Sequence, residues 1–294
     1  MRLTFENATE KYKASIMRRG FAVQTIINKE AYFIVFGSWL SQRYPECFQD
    51  LRAVTCDIIN EFVDSLFLKA LQPSTIQIYL SNLKVFFSYL YKNDFLSADP
   101  TRKIDNIRVP KKEIVYNLHE TIMKVLNEMF LNFYKGQNYD LTLRNYFIIR
   151  CAYTTGWRAS EARNCLVENI NWETGEIKII RKGGKDGYVY LDLETASRMK
   201  QWYFSKYPNG KYLFYSSEGK KIGYTGYNRV FLKYFGLPSH RMRASFATYM
   251  ISNDVGIKDV ADLMGHESLS STMRYAARVK SRIIGIHRAK NPFS

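Results

Sequence analysis

His240 and Arg243 stand three residues apart in the stretch Leu237 to Tyr275, LPSHRMRASFATYMISNDVGIKDVADLMGHESLSSTMRY, which also holds His266 and Tyr275. On a helix, positions i and i+3 share a face, so an imidazole and a guanidinium there can be aimed at one point. The planar fork of an arginine suits a phosphate, and a tyrosine hydroxyl can serve as a nucleophile. These residue types together offer a place to cut a phosphodiester. Upstream, TTGWRASEA carries Arg158 and Glu161, and KIIRKGGKDGYVYLD carries Lys182 and Lys185. Either lysine could be a phosphate contact.

The elements that must position these residues follow from periodicity and turn signals. Asn117, with Glu120 three residues later, predicts a capped helix start, and a second helix is expected around Leu141 to Tyr153 with Phe147, Ile148 and Cys151 inward. The TTG turn then presents Arg158 at the start of the helix SEARNCL. From Glu176, β-branched and aromatic residues flank RKGGKDG, the pattern of a hairpin with a loose glycine-rich tip bearing Lys182 and Lys185. Helices are expected from Thr195 to Lys206 and around Tyr227 and Val230. Ser239 is expected to cap the helix of His240 and Arg243, whose buried face is read as Met242, Phe246, Tyr249 and Met250. A short helix from Ile257 to Met264 ends at Gly265, a normal residue just past a helix end. His266 and a serine-rich turn lead to Tyr275. Beyond it, Val279, Ile283 and Ile286 form a stripe that can make an amphipathic helix in a tail without acidic residues.

The first third is read as a bundle of about four short helices. Ile26, Phe33, Phe36 and Leu40 recur at helical spacing, as do Ile59, Phe62, Val63 and Leu66 behind Thr55. Ile76, Tyr79, Leu80, Leu83, Phe87 and Leu90 follow Pro73-Ser74. A basic linker near 98–112, with Arg102, Lys103, Arg108, Lys111 and Lys112 between Pro100 and beyond Pro110, separates a helical domain at 1–110 from a second domain at 111–294. The expected fold is mainly α with a small β-sheet: an all-helical N-terminal domain and a mixed α+β domain.

Charge names the partner's sign. The chain of 294 residues has a formal net charge of +16. It is uneven: residues 1–110 carry 14 Lys/Arg against 11 Asp/Glu, and residues 111–294 carry 29 against 16. A surplus in the half that holds the candidate site points to a polyanion. Cys47, Cys56, Cys151 and Cys165 lack the spacing of a zinc site or a disulfide framework and read as buried thiols of a reducing compartment. Neither a signal-peptide core nor an apolar run long enough for a membrane span is visible, so a cytoplasmic protein is expected. With no glycine-rich phosphate loop and no paired metal-binding carboxylates, no cofactor and no metal is expected.

Arg158 in TTGWRASE, Lys182 on the hairpin, His240 and Arg243 as HxxR, Gly265-His266 and Tyr275 together resemble the tyrosine recombinase (phage-integrase) family, most closely its compact Xer-type members. Order and spacing agree, and the interval from Arg158 favours Lys182 over Lys185. One departure is Ala244, where the family often has histidine. The resemblance implies a core-binding N-terminal domain and a catalytic domain that clamp double-stranded DNA at a recombination site. It implies that Tyr275 forms a 3′-phosphotyrosine while Arg158 and Arg243 hold the phosphate. Lys182 would be the general acid, His240 and His266 donors to the phosphate, with His240 also a candidate acceptor of the tyrosine proton, and Glu161 a support. Arg102, Lys103, Arg108, Lys111, Lys112 and Lys185 would follow the DNA backbone. It further implies exchange through a Holliday junction, in Xer-like dimer resolution or mobile-element integration and excision, by a tetramer linked through the tail 276–294. A second recombinase or an accessory protein fits the same scheme. Two other readings share these residues: a type IB topoisomerase-like enzyme, and a catalytically silent DNA-binding relative.

Overall fold

A computed structural model describes residues 2–110, 115–132 and 139–276. The chain divides into two compact units, Met1–Lys112 and Glu113–Ser294.

The first unit is built from α1 (Phe5–Arg18), α2 (Val23–Arg43), α3 (Pro45–Gln49), α4 (Cys56–Leu68) and α5 (Pro73–Lys92). Thr4 opens α1 by accepting from the Asn7 N–H at 3.2 Å, and Thr55 opens α4 by accepting from Ile58 N–H at 3.4 Å. Pro73 lies in the first turn of α5, where its missing N–H costs nothing. The apolar stripes meet in one aromatic core in which Phe36, Phe62, Phe86 and Phe87 are fully buried. Of the expected core positions only Tyr79 stays partly exposed, its ring standing edge-on to Tyr32 at 5.1 Å. The helices are not uniformly short, since α2 runs 21 residues and α5 runs 20.

The stretch read as a basic linker is fastened to this unit along its first half. Thr101 is buried, and Ile104 and Ile107 pack on the core. Lys84 Nζ donates to Ile104 O at 2.5 Å, and the Ile107 N–H donates to Gln77 Oε1 at 2.5 Å. Arg102, Lys103 and Arg108 remain exposed, while Lys111 and Lys112 lie outside the described residues.

The second unit comprises α6 (His119–Asn132), α7 (Tyr139–Thr155), α8 (Ala159–Asn164), the strands β1 (Glu176–Ile180) and β2 (Asp186–Tyr190), α9 (Leu193–Lys206), α10 (Tyr224–Phe235), α11 (His240–Ser252), α12 (Ile257–Met264) and α13 (Leu269–Ala276). The strands pair antiparallel with Ile177 opposite Val189 and Ile180 opposite Asp186. Ile177, Ile179, Gly187 and Val189 face inward, the period-two alternation that fixes which face meets the core. Buried Phe147, Ile148 and Cys151 of α7 form the centre of the unit. Phe246, Ala247 and Ile251 of α11 join Val260 and Met264 of α12, with Tyr275 of α13 packed against them.

Three expectations about helix ends and faces need correction. α6 begins at His119: the Leu118 carbonyl accepts the first helical bond from the Ile122 N–H at 3.1 Å, and the Asn117 N–H, which a capping box would give to Glu120, donates to Ser245 Oγ at 2.8 Å. Ser239 makes no side-chain cap: it already has helical angles (φ −51, ψ −33), and its N–H is taken by Asn228 Oδ1 of α10 at 2.8 Å. Tyr249 is exposed and Met250 only partly covered, since the inward face of α11 is Met242, Arg243, Phe246, Ala247 and Ile251. Tyr249 instead stacks on His119 with ring centroids 4.5 Å apart.

Candidate active site

The turn between α7 and α8 sets the first arginine. Arg158 precedes α8, and its N–H donates to Glu161 Oε2 at 2.6 Å while Nη1 donates to Oε1 at 2.8 Å. The Glu161 side chain is 2% accessible against 29% for Arg158, so the carboxylate is a buried anchor and the guanidinium keeps an open side. Charge-assisted bonds of this kind fix geometry as much as they contribute energy. Arg158 Nη2 reaches across to Gly265 O at 3.2 Å.

Arg243 arrives from α11 and is buried. Its Nη1 donates to Gly156 O at 2.6 Å and its Nη2 to Met264 O at 2.5 Å. Burial, and then the charge of Arg158, pull its guanidinium down to about 10, so it stays protonated at neutral pH. A cation held this way beside a second cation is stabilised by an arriving anion.

Gly156 allows α7 and α11 to come close enough for the two arginines to meet. It has φ +59, and a Cβ there would lie 2.2 Å from Phe246 Cδ1. Gly156→Ala is therefore expected to destabilise the chain by about 2–5 kcal/mol, adding the left-handed penalty to overpacking. Urea unfolding checks this, and an unchanged midpoint at unchanged slope would contradict the packing described.

Gly265 closes α12 in the left-handed conformation (φ 59), which turns the chain so that His266 follows on the arginine side. His266 Nδ1 lies 2.7 Å from the hydroxyl of Thr272, itself fully buried on α13. Burial first, then Arg243, Arg158, Arg274 and Arg181, push the imidazole down to about 4, so it is neutral at physiological pH. The unfolded chain protonates this histidine near 6.5 and the folded chain only near 4, so acidification through that window favours unfolding. Its ring lies parallel to that of Tyr275, with centroids 6.4 Å apart.

His240 and Lys182 are placed less tightly. His240 is the first residue of α11, exposed, one turn before Arg243; burial and then Arg241 hold its imidazole below the ordinary value. Lys182 is exposed at the hairpin tip and lines a cleft of about 430 Å³ together with Arg158 and His266. Among the described residues no hydrogen bond or ion pair engages either side chain. Lys185 instead pairs with Glu267 at 2.9 Å, and that lysine holds the Glu267 carboxyl below the usual range. No cluster of three or more metal-binding side chains occurs among the described residues, and no helix there is long and apolar enough to cross a membrane.

Two residues of this region were not foreseen. Thr272 ties His266 to the helix that carries Tyr275. Arg181 places its guanidinium beside Arg158, donating through Nη2 to Tyr188 O at 2.8 Å and Leu263 O at 3.1 Å. Its position immediately before Lys182 is the one signal in the sequence that could have marked it.

Residues 117–282, more than half of the chain, match the model of the phage integrase family. The chain is 29% identical over 219 residues to tyrosine recombinase XerC of Lactobacillus delbrueckii subsp. bulgaricus, covering 70% of this chain and 72% of that protein. Its fold is similar to that of the XerH site-specific recombinase bound to palindromic difH substrate, with a TM-score of 0.73 at 22% identity over 94% of this chain and 81% of that one. It is equally similar to the Tn1549 transposon integrase in complex with transposon right end DNA, with a TM-score of 0.73 at 17% identity over 97% and 99%.

Proposed function

We infer the chemistry of the site from one premise: this chain belongs to the phage integrase family, and so is a tyrosine recombinase that breaks and rejoins DNA at specific sites. The observation that carries the assignment of residues is the turn after α12. There Met264 O and Gly265 O accept from Arg243 and Arg158, and His266 follows with its ring against Tyr275.

In the proposed reaction the Tyr275 hydroxyl gives its proton to neutral His240 and its oxygen attacks the scissile phosphorus, forming a P–O bond and a 3′-phosphotyrosine as the bond to the 5′-oxygen breaks. Arg158 and Arg243 neutralise the charge that gathers on the non-bridging oxygens. Arg243 is held by backbone carbonyls alone, which leave its charge uncancelled, while Arg158 is anchored on one side by the Glu161 carboxylate and keeps its other side open. Lys182 gives its proton to the departing 5′-oxygen. Neutral His266 has one N–H to donate, and His240 stands one turn from Arg243 on the same face. Glu161 holds Arg158 and does not touch DNA. The bond energy stored in the phosphotyrosine allows a 5′-hydroxyl of a second duplex to reverse the step, so strand exchange needs no ATP. Arg102, Lys103, Arg108, Lys111, Lys112 and Lys185 follow the DNA backbone in this reading, and the protein acts in the cytoplasm on DNA. None of the relatives above is a topoisomerase.

Exchange requires paired sites, and the tail 276–294 is the proposed link between protomers of a tetramer. Its stripe of Val279, Ile283 and Ile286 lies outside the described residues. Truncation after Ala277 is expected to leave a folded protein that fills one half-site, yet to lose cooperative filling of two half-sites and with it Holliday-junction formation. A gel-shift titration on one- and two-half-site DNA, run beside a recombination assay, tests this. Full cooperativity and full recombination without the tail would remove the tail from the assembly. Supercoil relaxation with no junction from the intact chain would replace recombination by topoisomerase action.

A further inference from the structure

Three consecutive carbonyls at the end of α12 each accept from a different guanidinium. Leu263 O takes Arg181 Nη2 at 3.1 Å, Met264 O takes Arg243 Nη2 at 2.5 Å, and Gly265 O takes Arg158 Nη2 at 3.2 Å. The last carbonyls of a helix lack intrahelical partners and form its negative end, so cations are stabilised there. Two of the three arginines serve the phosphate in the reading above. The third is left unexplained by it, and it is the neighbour of Lys182.

The side chain of Arg181 runs through a slot made by two absent β-carbons. A Cβ at Gly187 would lie 2.2 Å from its Nε, and a Cβ at Gly265 would lie 2.0 Å from its Nη1. Within the hairpin its N–H donates to Lys185 O at 2.7 Å, and its Nη2 donates to Tyr188 O at 2.8 Å. Nη1 is buried without a hydrogen-bond partner among the described residues, so that nitrogen is not presented to a phosphate from solution. The guanidinium thus spans the hairpin and the carbonyl end of α12. Just beyond it, Gly183 and Gly184 have φ of +87 and +78, so the tip has little stiffness of its own.

We propose that Arg181 is the positioning residue of Lys182: it fastens the hairpin to the end of α12 and so sets where the lysine ammonium stands relative to the phosphate held by Arg158 and Arg243. This rests on the reading that Lys182 protonates the leaving oxygen. All three arginines share one peptide segment as their reference, so the proton donor and the phosphate ligands keep a common frame even though they come from distant parts of the chain. A displacement of about 1 Å at such a donor can cost about 100-fold in rate.

The test uses the full chain, a nicked suicide duplex, and the same duplex with a 5′-bridging phosphorothiolate, whose sulfur leaves without a proton. Arg181→Met removes the fastener, and Gly187→Ala closes its slot at a position whose φ is outside the left-handed region. Both variants are expected to stay folded at the assay temperature, to keep their DNA affinity and to cleave the oxygen-bridged duplex about 100-fold more slowly. The phosphorothiolate should restore both, and Arg181→Met should slow a Lys182→Ala background no further. Undiminished cleavage by both variants, or losses that multiply onto Lys182→Ala, would overturn the positioning role. Should Arg181→Met alone unfold the chain, Gly187→Ala decides by the same measurements. Failure of the phosphorothiolate to restore Lys182→Ala by itself would overturn the general-acid reading, whereas additivity tests the coupling whatever chemistry Lys182 performs.

Discussion

Tyr275→Phe is expected to bind duplex DNA as the unaltered chain does and to form no covalent adduct with it. The aromatic ring has a packing role that phenylalanine keeps: it lies parallel to His266 and packs against the cluster of Phe246, Val260 and Met264. The hydroxyl alone is removed, and it is the proposed nucleophile. Removing a nucleophile from a preorganised site lowers turnover by at least about 10⁴-fold, since the surrounding groups then have no attack to assist. The measurement is a denaturing gel of protein incubated with a nicked suicide duplex, in which the released fragment cannot return and the adduct accumulates. A band of unchanged intensity with the Phe variant would place the nucleophile elsewhere in the chain. Loss of DNA binding along with the band would mean that the hydroxyl serves the fold.

Features carried by short-range pattern were legible in the sequence. The stripes of α4 and α5 repeat at helical spacing because one face of each is covered, and Gly265 marks a helix end because a left-handed residue is needed there. The i, i+3 relation of His240 and Arg243 follows from helix geometry alone. The roles given to these residues came from family resemblance, since nothing in local pattern distinguishes Arg158 from an ordinary surface arginine. What escaped was set by partners distant in sequence. Ser239 looked like a cap, but Asn228 of α10 holds its N–H and keeps it helical. Tyr249 fell on an apparent apolar stripe, yet His119 covers it from outside the core. The fastening of the linker escaped because its charges are visible in the sequence while Gln77 and Lys84, which hold it, belong to α5. Arg181 escaped for the same reason, since its slot needs Gly187 and Gly265 together. Helix periodicity concerns one element at a time, and a catalytic pocket is an agreement among several.

Lys182→Ala is expected to suppress cleavage of an ordinary phosphodiester by about 10²–10⁴-fold, the usual contribution of a general acid. Lys185→Ala should have a far smaller effect. The two lysines share a hairpin tip, both are exposed, and charge alone does not separate them. Their surroundings do. Lys185 is paired with Glu267 at 2.9 Å, so part of its charge is already answered. Lys182 lines the cleft shared with Arg158 and His266, two of the proposed phosphate ligands. A group that only steadies the phosphate would be missed equally whether the leaving atom is oxygen or sulfur. A proton donor is missed only when the leaving atom needs a proton. The 5′-bridging phosphorothiolate duplex therefore distinguishes the two roles: its cleavage by Lys182→Ala should approach that of the unaltered chain. Restoration of Lys185→Ala alone would move the acid three residues along the tip. Restoration of neither, with both strongly impaired, would leave the hairpin as a clamp on the DNA backbone and send the search for the acid to His240, the other exposed and hydrogen-bond-free base among the described site residues.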